Sequence, residues 1–209
     1  MAYPLGLQSV NGLQTSEARN GICPVSFWID LLGCGARRLR SISLQPTAAP
    51  MTAPPSDRIA RDSHFMQLAV DEANKSIPVE SAYCVGALLV KDGVVLSTGF
   101  SRELPGNTHA EECCLIKLKD QGRLEQARGS TCYSTMEPCG ERLSGKWPCC
   151  KRLVEAGVAR VVVGIMEPTH FIQGCVGVDE LREAGIAVDV LAGWEEACLW
   201  PNRHLGDKA

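Results

Sequence analysis

The sequence predicts an α/β protein, a three-layer α/β/α sandwich whose mixed central sheet is opened by a β-hairpin. Three observations carry this. Two β-rich runs flank Lys91-Asp92-Gly93 in "YCVGALLVKDGVVLSTGFS" (83–101), a hairpin by its turn residues. Helix-period stretches then alternate with short apolar runs as far as "AVDVL" (187–191). One of those runs, "RVVVGIM" (160–166), is almost continuously apolar and reads as a buried strand parallel to its neighbour.

Taken in order, "SDRIARDSHFMQLAVDEANKS" sets Phe65, Leu68, Ala69, Glu72 and Ala73 at helical spacing, with Ser56 or Asp57 available as a cap. The hairpin follows. "HAEECCLIKLKDQG" (109–122) is helical, with Ala110, Cys113, Cys114 and Leu118 on one side. "STCYSTM" (130–136) is a strand, and "CKRLVEAGV" (150–158) is a helix stopped by its glycine. After the apolar strand, "VGVDELREAGI" forms a short helix and "AVDVL" a last strand. The expected organisation is an N-terminal extension over residues 1–56, a folded domain over 57–193 and a tail over 194–209. Trp194 and Trp200 in that tail serve either an interface or a cover for the core.

The extension lacks periodicity, apart from a possible short apolar helix at "FWIDLLG" (27–33), and ends in the linker-like "LQPTAAPMTAPPSD". An organelle leader, a disordered extension and a natural start at Met51 all remain open for it. The expected location is the cytoplasm, with the leader as the alternative. Four arginines there against Glu17 and Asp30 give +2, so the −3 of the whole chain leaves −5 on the remainder. An acidic body argues against a nucleic-acid partner, which needs many cationic phosphate contacts. No apolar run approaches the ~20 residues of a membrane span. The eleven cysteines are odd in number, follow no secretory leader and include two adjacent pairs. They therefore read as metal ligands or small core residues in a reducing compartment.

Chemistry concentrates in "GNTHAEE" (106–112) and "EPCGERLSGKWPCC" (137–150), each at the start of a helix. One histidine and two cysteines suit zinc, and three protein ligands leave an open catalytic position. His109, Cys139 and Cys149 supply that set, and Glu111, two residues past His109, is the proton carrier beside the metal. This is the H-x-E…P-C-x-x-C arrangement of zinc deaminases, except that nine residues separate Cys139 from Cys149. Cys149 follows Pro148 and is favoured over Cys150, which reads as a core thiol, as do Cys113 and Cys114. Glu137 is either a partner of the metal ligands or a turn residue.

"GNTHAE", "MEPC" and "KWPCC" together resemble the pyrimidine deaminases of riboflavin biosynthesis, within the cytidine deaminase-like zinc superfamily. The resemblance runs from about Phe65 to Leu191, through "VGALLVKDG", "AGVARVVVGIMEP" and "LREAGIAVDV", and is nearest the fungal type in "CGERLSGKWPC". It implies one zinc per chain, a homodimer, and a small phosphorylated pyrimidine as partner. The implied substrate is a ribitylaminopyrimidine 5′-phosphate whose ring amino group is hydrolysed off, with the unreduced ribosylamino compound as the alternative. Zinc would activate the water, while Glu111 carries protons from it to the ring nitrogen and the departing ammonia. Bacterial members usually carry a reductase domain after the deaminase, and this chain is expected to lack one. Where the bacterial pattern is rich in asparagine and proline, this chain reads "SAYC" (81–84), so contacts there are not carried over.

The phosphate calls for cations, and no glycine-rich phosphate loop is present. Arg142, Ser144 and Lys146, tethered between the ligands, are the candidates, with Lys146 foremost for phosphate or ribityl contact. Asn107 and Thr108 precede the metal histidine and are candidate donors to the substrate. "MEPTHF" (166–171) follows a buried strand, where α/β proteins place ligand contacts, so Thr169 and His170 join the list. His64 and His204 have no partner at metal spacing. Two rival readings are a deaminase for another nucleoside or nucleotide, which the wide cysteine spacing opposes, and a zinc protein without turnover, which Glu111 opposes.

Overall fold

Strict alternation within the strands splits the core in two. Ala87 and Leu89, Cys132, Val161 and Val163 face one way, while Leu88 and Val90, Tyr133 and Val162 face the other. A strand whose successive residues are both apolar must be covered on both faces. The computed structural model, which describes residues 55–142, 144–168 and 175–208, supplies both covers.

The chain runs α1 (Pro55–Ala73), the hairpin β1 (Gly86–Lys91) and β2 (Val94–Phe100), α2 (Ala110–Asp120), β3 (Thr131–Met136), α3 (Cys149–Glu155), β4 (Arg160–Ile165), α4 (Gly177–Glu183), β5 (Ala187–Val190) and α5 (Glu195–Leu199). Short 3₁₀ turns occupy Leu124–Ala127 and Trp200–Lys208. The sheet order is β2-β1-β3-β4-β5. β1 is antiparallel to both β2 and β3, and β3, β4 and β5 are mutually parallel. The hairpin turns at Asp92 and Gly93, both with positive φ (52° and 78°), the two-residue geometry that matches strand twist. Leu115 and Leu118 of α2, Leu153 of α3 and Leu181 of α4 cover one face. Phe65, Met66 and Ala69 of α1, with Cys198 and Leu205 from the C-terminal segment, cover the other.

The element order and the mixed sheet agree with the reading from sequence. Two boundaries differ. α1 begins at Pro55, so Ser56 and Asp57 lie in its first turn instead of capping it. Proline suits the first helical position because its missing N–H is not needed there, and an acid in the first turn complements the helix dipole. The segment after Trp194 is also part of the core, since Cys198 and Asn202 are fully buried. The readings of residues 1–54, including the helix at 27–33, fall outside the described residues. Among the described residues no helix is long and apolar enough to cross a membrane.

At the far edge of the parallel strands, Arg160 clasps Asp62 through both terminal nitrogens (2.9 and 2.7 Å) and also meets Asp189. The hydroxyl of Tyr133 donates to Asp62 at 2.8 Å. Burial alone would raise the Asp62 carboxyl, but Arg160 and Tyr133 hold it below its ordinary value. A carboxyl held lower in the folded chain than in the unfolded one stabilises fully above about pH 4, and that contribution fades as pH falls through the folded value. Asp62→Asn leaves the guanidinium short of a buried charge and is expected to cost about 3 kcal/mol. The loss should shrink on acidification, as urea unfolding at pH 7 and at pH 3 will check.

Candidate active site

Two glycines bring the functional segments within reach of each other. A Cβ on Gly99 of β2 would lie 2.2 Å from the Ala110 carbonyl, so only glycine lets the first turn of α2 rest on the hairpin. A Cβ on Gly177 would lie 1.8 Å from the Pro138 carbonyl, so α4 begins directly against the Pro138–Cys139 turn. Glu137 secures that turn by accepting the N–H groups of Val178 (2.9 Å) and Glu167 (3.3 Å), which makes it a structural turn residue.

His109 is the N-cap of α2, Cys139 follows the end of β3, and Cys149 is the first residue of α3. Their donor atoms all lie within 4.8 Å of one another. Nδ1 of His109 is 3.5 Å from Sγ of Cys139 and 3.6 Å from Sγ of Cys149. Tetrahedral zinc with its usual bonds to sulfur and nitrogen separates such atoms by about 3.6 Å. The arrangement therefore fits one zinc, and it supplies three ligands, the count of an open site. Hydrogen bonding with Cys149, and then the His109 ring, hold the Cys139 thiol down to about 4 against burial, and the Cys149 N–H donates to the Cys139 sulfur at 3.3 Å. Cys150, adjacent in sequence, turns away to the core and donates to Glu180 at 2.8 Å.

Glu111 is 3% exposed and stands beside this group without belonging to it. Burial and then the nearby Cys139 charge push its carboxyl up, opposed by a hydrogen bond from Ser134 Oγ at 2.8 Å. Strand alternation explains Ser134: it shares the β3 face of Cys132, toward α2. A fixed carboxyl with a raised affinity for protons is suited to taking and returning them.

These groups open on a cavity of about 240 Å³. Asn107, Thr108, His109, Glu111, Cys139, Arg142 and Ser144 line it, so most of the residues singled out in the sequence converge there. Asn107 and Ser144 are exposed, and Asn107 adopts a left-handed φ of 54° that asparagine tolerates. Thr108 has its hydroxyl engaged, donating to the Leu104 carbonyl (2.8 Å) and accepting from the Leu104 N–H (3.2 Å). Arg142 is buried, paired with Glu112 at 2.7 Å, and donates to the Asn107 carbonyl at 2.8 Å. Lys146 is exposed and is not among the lining residues; its ammonium donates to the Gly106 carbonyl. Thr169 and His170 fall outside the described residues.

The cavity also has walls that sequence reasoning did not find: Ser81, Ala82 and Tyr83 before β1, Arg102 after β2, and Glu167 after β4. Burial lifts the Glu167 carboxyl to about 7, helped by the charges of Cys139 and Glu137. Of these, Glu167 carried a signal, since it follows a parallel strand at the end where α/β sites form.

A family model for the cytidine and deoxycytidylate deaminase zinc-binding region matches residues 59–165. The diaminohydroxyphosphoribosylamino-pyrimidine deaminase of Schizosaccharomyces pombe is 38% identical over 83% of this chain and 43% of its own length. The riboflavin biosynthesis protein RibD of Aquifex aeolicus is 37% identical over 65% of this chain and 36% of its own. The chain thus spans less than half the length of either relative. Among solved structures, the Aspergillus oryzae Rib2 deaminase in complex with DARIPP, a C-terminal deletion mutant, superposes with a TM-score of 0.60. It is 32% identical, over 68% of this chain and 89% of that one.

The ligand assignment is testable by metal content. Cys149→Ser is expected to weaken zinc binding more than about tenfold, whereas Cys150→Ser should retain one zinc per chain after dialysis. Mass spectrometry of the metal in both purified variants decides between the two sulfurs.

Proposed function

The chain belongs to the zinc-dependent deaminase family of the cytidine and deoxycytidylate deaminase zinc-binding region, among the pyrimidine deaminases of riboflavin biosynthesis, and from that membership we propose its reaction. It hydrolyses 2,5-diamino-6-ribitylamino-4(3H)-pyrimidinone 5′-phosphate to 5-amino-6-ribitylaminouracil phosphate and ammonia. The observation that carries the reading is the convergence of His109, Cys139 and Cys149 beside the buried carboxyl of Glu111, in a cavity sized for one small molecule.

His109, Cys139 and Cys149 would hold the zinc, which would supply Lewis-acid activation of the water that attacks the amino-bearing ring carbon. Glu111 takes a proton from the attacking water and passes it to the ring nitrogen, then takes the proton of the hydroxyl added to the ring carbon and passes it to the leaving amine, so one water is consumed and one ammonia released. Ser134 holds the carboxyl in place for both transfers. Asn107 and Ser144, exposed on the cavity wall, offer polar groups to the substrate, and Thr108 and Arg142 shape the same wall. Lys146 supports the phosphate seat. It has no ion-pair partner among the described residues, and its ammonium rests on Gly106, next to cavity-lining Asn107. A phosphate at the end of a ribityl chain would reach this rim while the ring occupies the interior. The reading takes Thr169 and His170 as further substrate contacts on the strength of their place after β4. It includes a homodimer acting in the cytoplasm, for which Trp200, 57% exposed, is a candidate interface residue.

Ammonia release from the ribityl and the ribosyl pyrimidine phosphates, assayed side by side with and without a zinc chelator, tests the proposal. Chelator-sensitive turnover of the ribityl compound is expected, and its absence overturns the reading. Glu111→Gln should retain zinc and lose about 10²–10⁴-fold in kcat. Near-normal turnover would remove the proton-carrier role. Lys146→Ala should raise KM about tenfold with kcat little changed, the pattern of lost uniform binding. An unchanged KM removes Lys146 from the phosphate seat.

A further inference from the structure

One wall of the cavity is built from chain with little regular structure. Ser81, Ala82 and Tyr83 lie in the connection between α1 and β1, where Val79 and Ala82 form an isolated bridge outside the sheet. Side chains from two distant segments fix it instead. Arg102 donates to the Ile77 carbonyl at 2.8 Å and to the Tyr83 carbonyl at 3.1 Å. From the C-terminal turn, Asn202 accepts the Cys84 N–H at 2.6 Å and donates to the Cys84 carbonyl at 3.2 Å. His204 adds a contact with the Val79 carbonyl at 3.0 Å.

Asn202 is fully buried, and its amide makes both hydrogen bonds that a neighbouring strand would make to Cys84. An asparagine at 0% exposure is retained against the cost of desolvation only where its partners are met. Here those partners are the backbone of the residue next to Tyr83. Arg102 grips the other side of Tyr83 and donates its own N–H to the Thr108 carbonyl at 2.7 Å, which links the wall to the residue before His109. Asn202 lies well beyond residues 59–165, which match the family model.

We propose that Asn202 is a positioning residue: the C-terminal turn presets the Ser81–Tyr83 wall and through it the affinity for substrate. This rests on the deaminase reading above. The metal group and Glu111 are carried by α2, α3 and the end of β3, so the effect falls on binding and leaves the proton transfers in place.

The test is steady-state kinetics of zinc-loaded full-length Asn202→Ala and Asn202→Asp on the ribityl pyrimidine phosphate. Asn202→Ala leaves the Cys84 N–H and carbonyl unpaired, and KM should rise about tenfold with kcat within about twofold and zinc content unchanged. Asn202→Asp keeps the acceptor, sets an oxygen against the Cys84 carbonyl, and should raise KM to an intermediate extent. Folded variants with the wild-type KM overturn the proposal, and so does a parallel fall in kcat, zinc content and melting temperature. Hydrogen exchange of the wild-type protein stands apart from the variants and decides if neither folds. Exchange across residues 77–84 should slow when the deaminated product is added, and unchanged exchange overturns the proposal. A wild-type enzyme inactive on both pyrimidine phosphates sinks the deaminase reading and this one with it. An active wild type with unaffected variants sinks this one alone.

Discussion

One buried carboxylate ties together the three segments that carry the metal donors. Glu112 accepts the N–H of His109 at 3.3 Å, pairs with Arg142 at 2.7 Å and pairs with Arg152 at 2.9 Å. His109 opens α2, Arg142 lies between the two ligand cysteines, and Arg152 is in α3, which Cys149 begins. Burial would raise this carboxyl, yet the two guanidiniums and the His109 N–H hold it below its ordinary value, so it is charged. The ion pair with Arg142, whose side chains are 2% and 6% exposed, leaves neither charge uncompensated. A buried pair of this kind contributes geometry more than stability. It fixes the relation of three loops that share no strand.

The wide cysteine spacing follows from that anchor. A chain of nine residues between two metal ligands would ordinarily leave the second one loosely placed, since loop ordering has an entropic cost. Here Arg142 is captured three residues after Cys139, and Gly145 at a φ of 70° turns the chain back toward Pro148. The free span is therefore much shorter than the sequence spacing. Of the exposed residues that remain, Ser144 lines the cavity and Lys146 reaches Gly106, next to cavity-lining Asn107. Length that is superfluous for zinc becomes rim.

Periodicity made the architecture legible: the hairpin turn, the apolar β4 and the helical spacing of α2 each report a local pattern that burial enforces. The His109, Cys139, Cys149 and Glu111 set was legible because residue type and neighbouring prolines mark it. Ser134, Arg102 and Asn202 were not, because each matters through a partner 18 or more residues away and none departs from ordinary composition. Glu112 was hidden in a different way. Next to Glu111 it reads as one more acid in a first helical turn, and only the approach of Arg142 and Arg152 distinguishes it. Arg142 was read as a cation for the substrate, and the fold spends its charge on Glu112.

That reassignment sharpens the electrostatic logic of the cavity. With Arg142 neutralised internally, the lining carries the carboxyl groups of Glu111, Glu137, Glu141 and Glu167 and one further cation, Arg102. Arg102 is directed at the carbonyls of Ile77 and Tyr83. Such an interior favours a neutral, donor-rich ring over an anion, and Glu167, lifted to about 7, can accept or donate a hydrogen bond there. On the proposed reading, the phosphate is therefore placed outside this interior, at Lys146, whose ammonium has no ion-pair partner among the described residues. That reading gives a substrate with an uncharged ring at one end and a phosphate at the other one favoured orientation, with the ring toward the metal donors and Glu111 and the 81–83 wall beside the linker between the two ends.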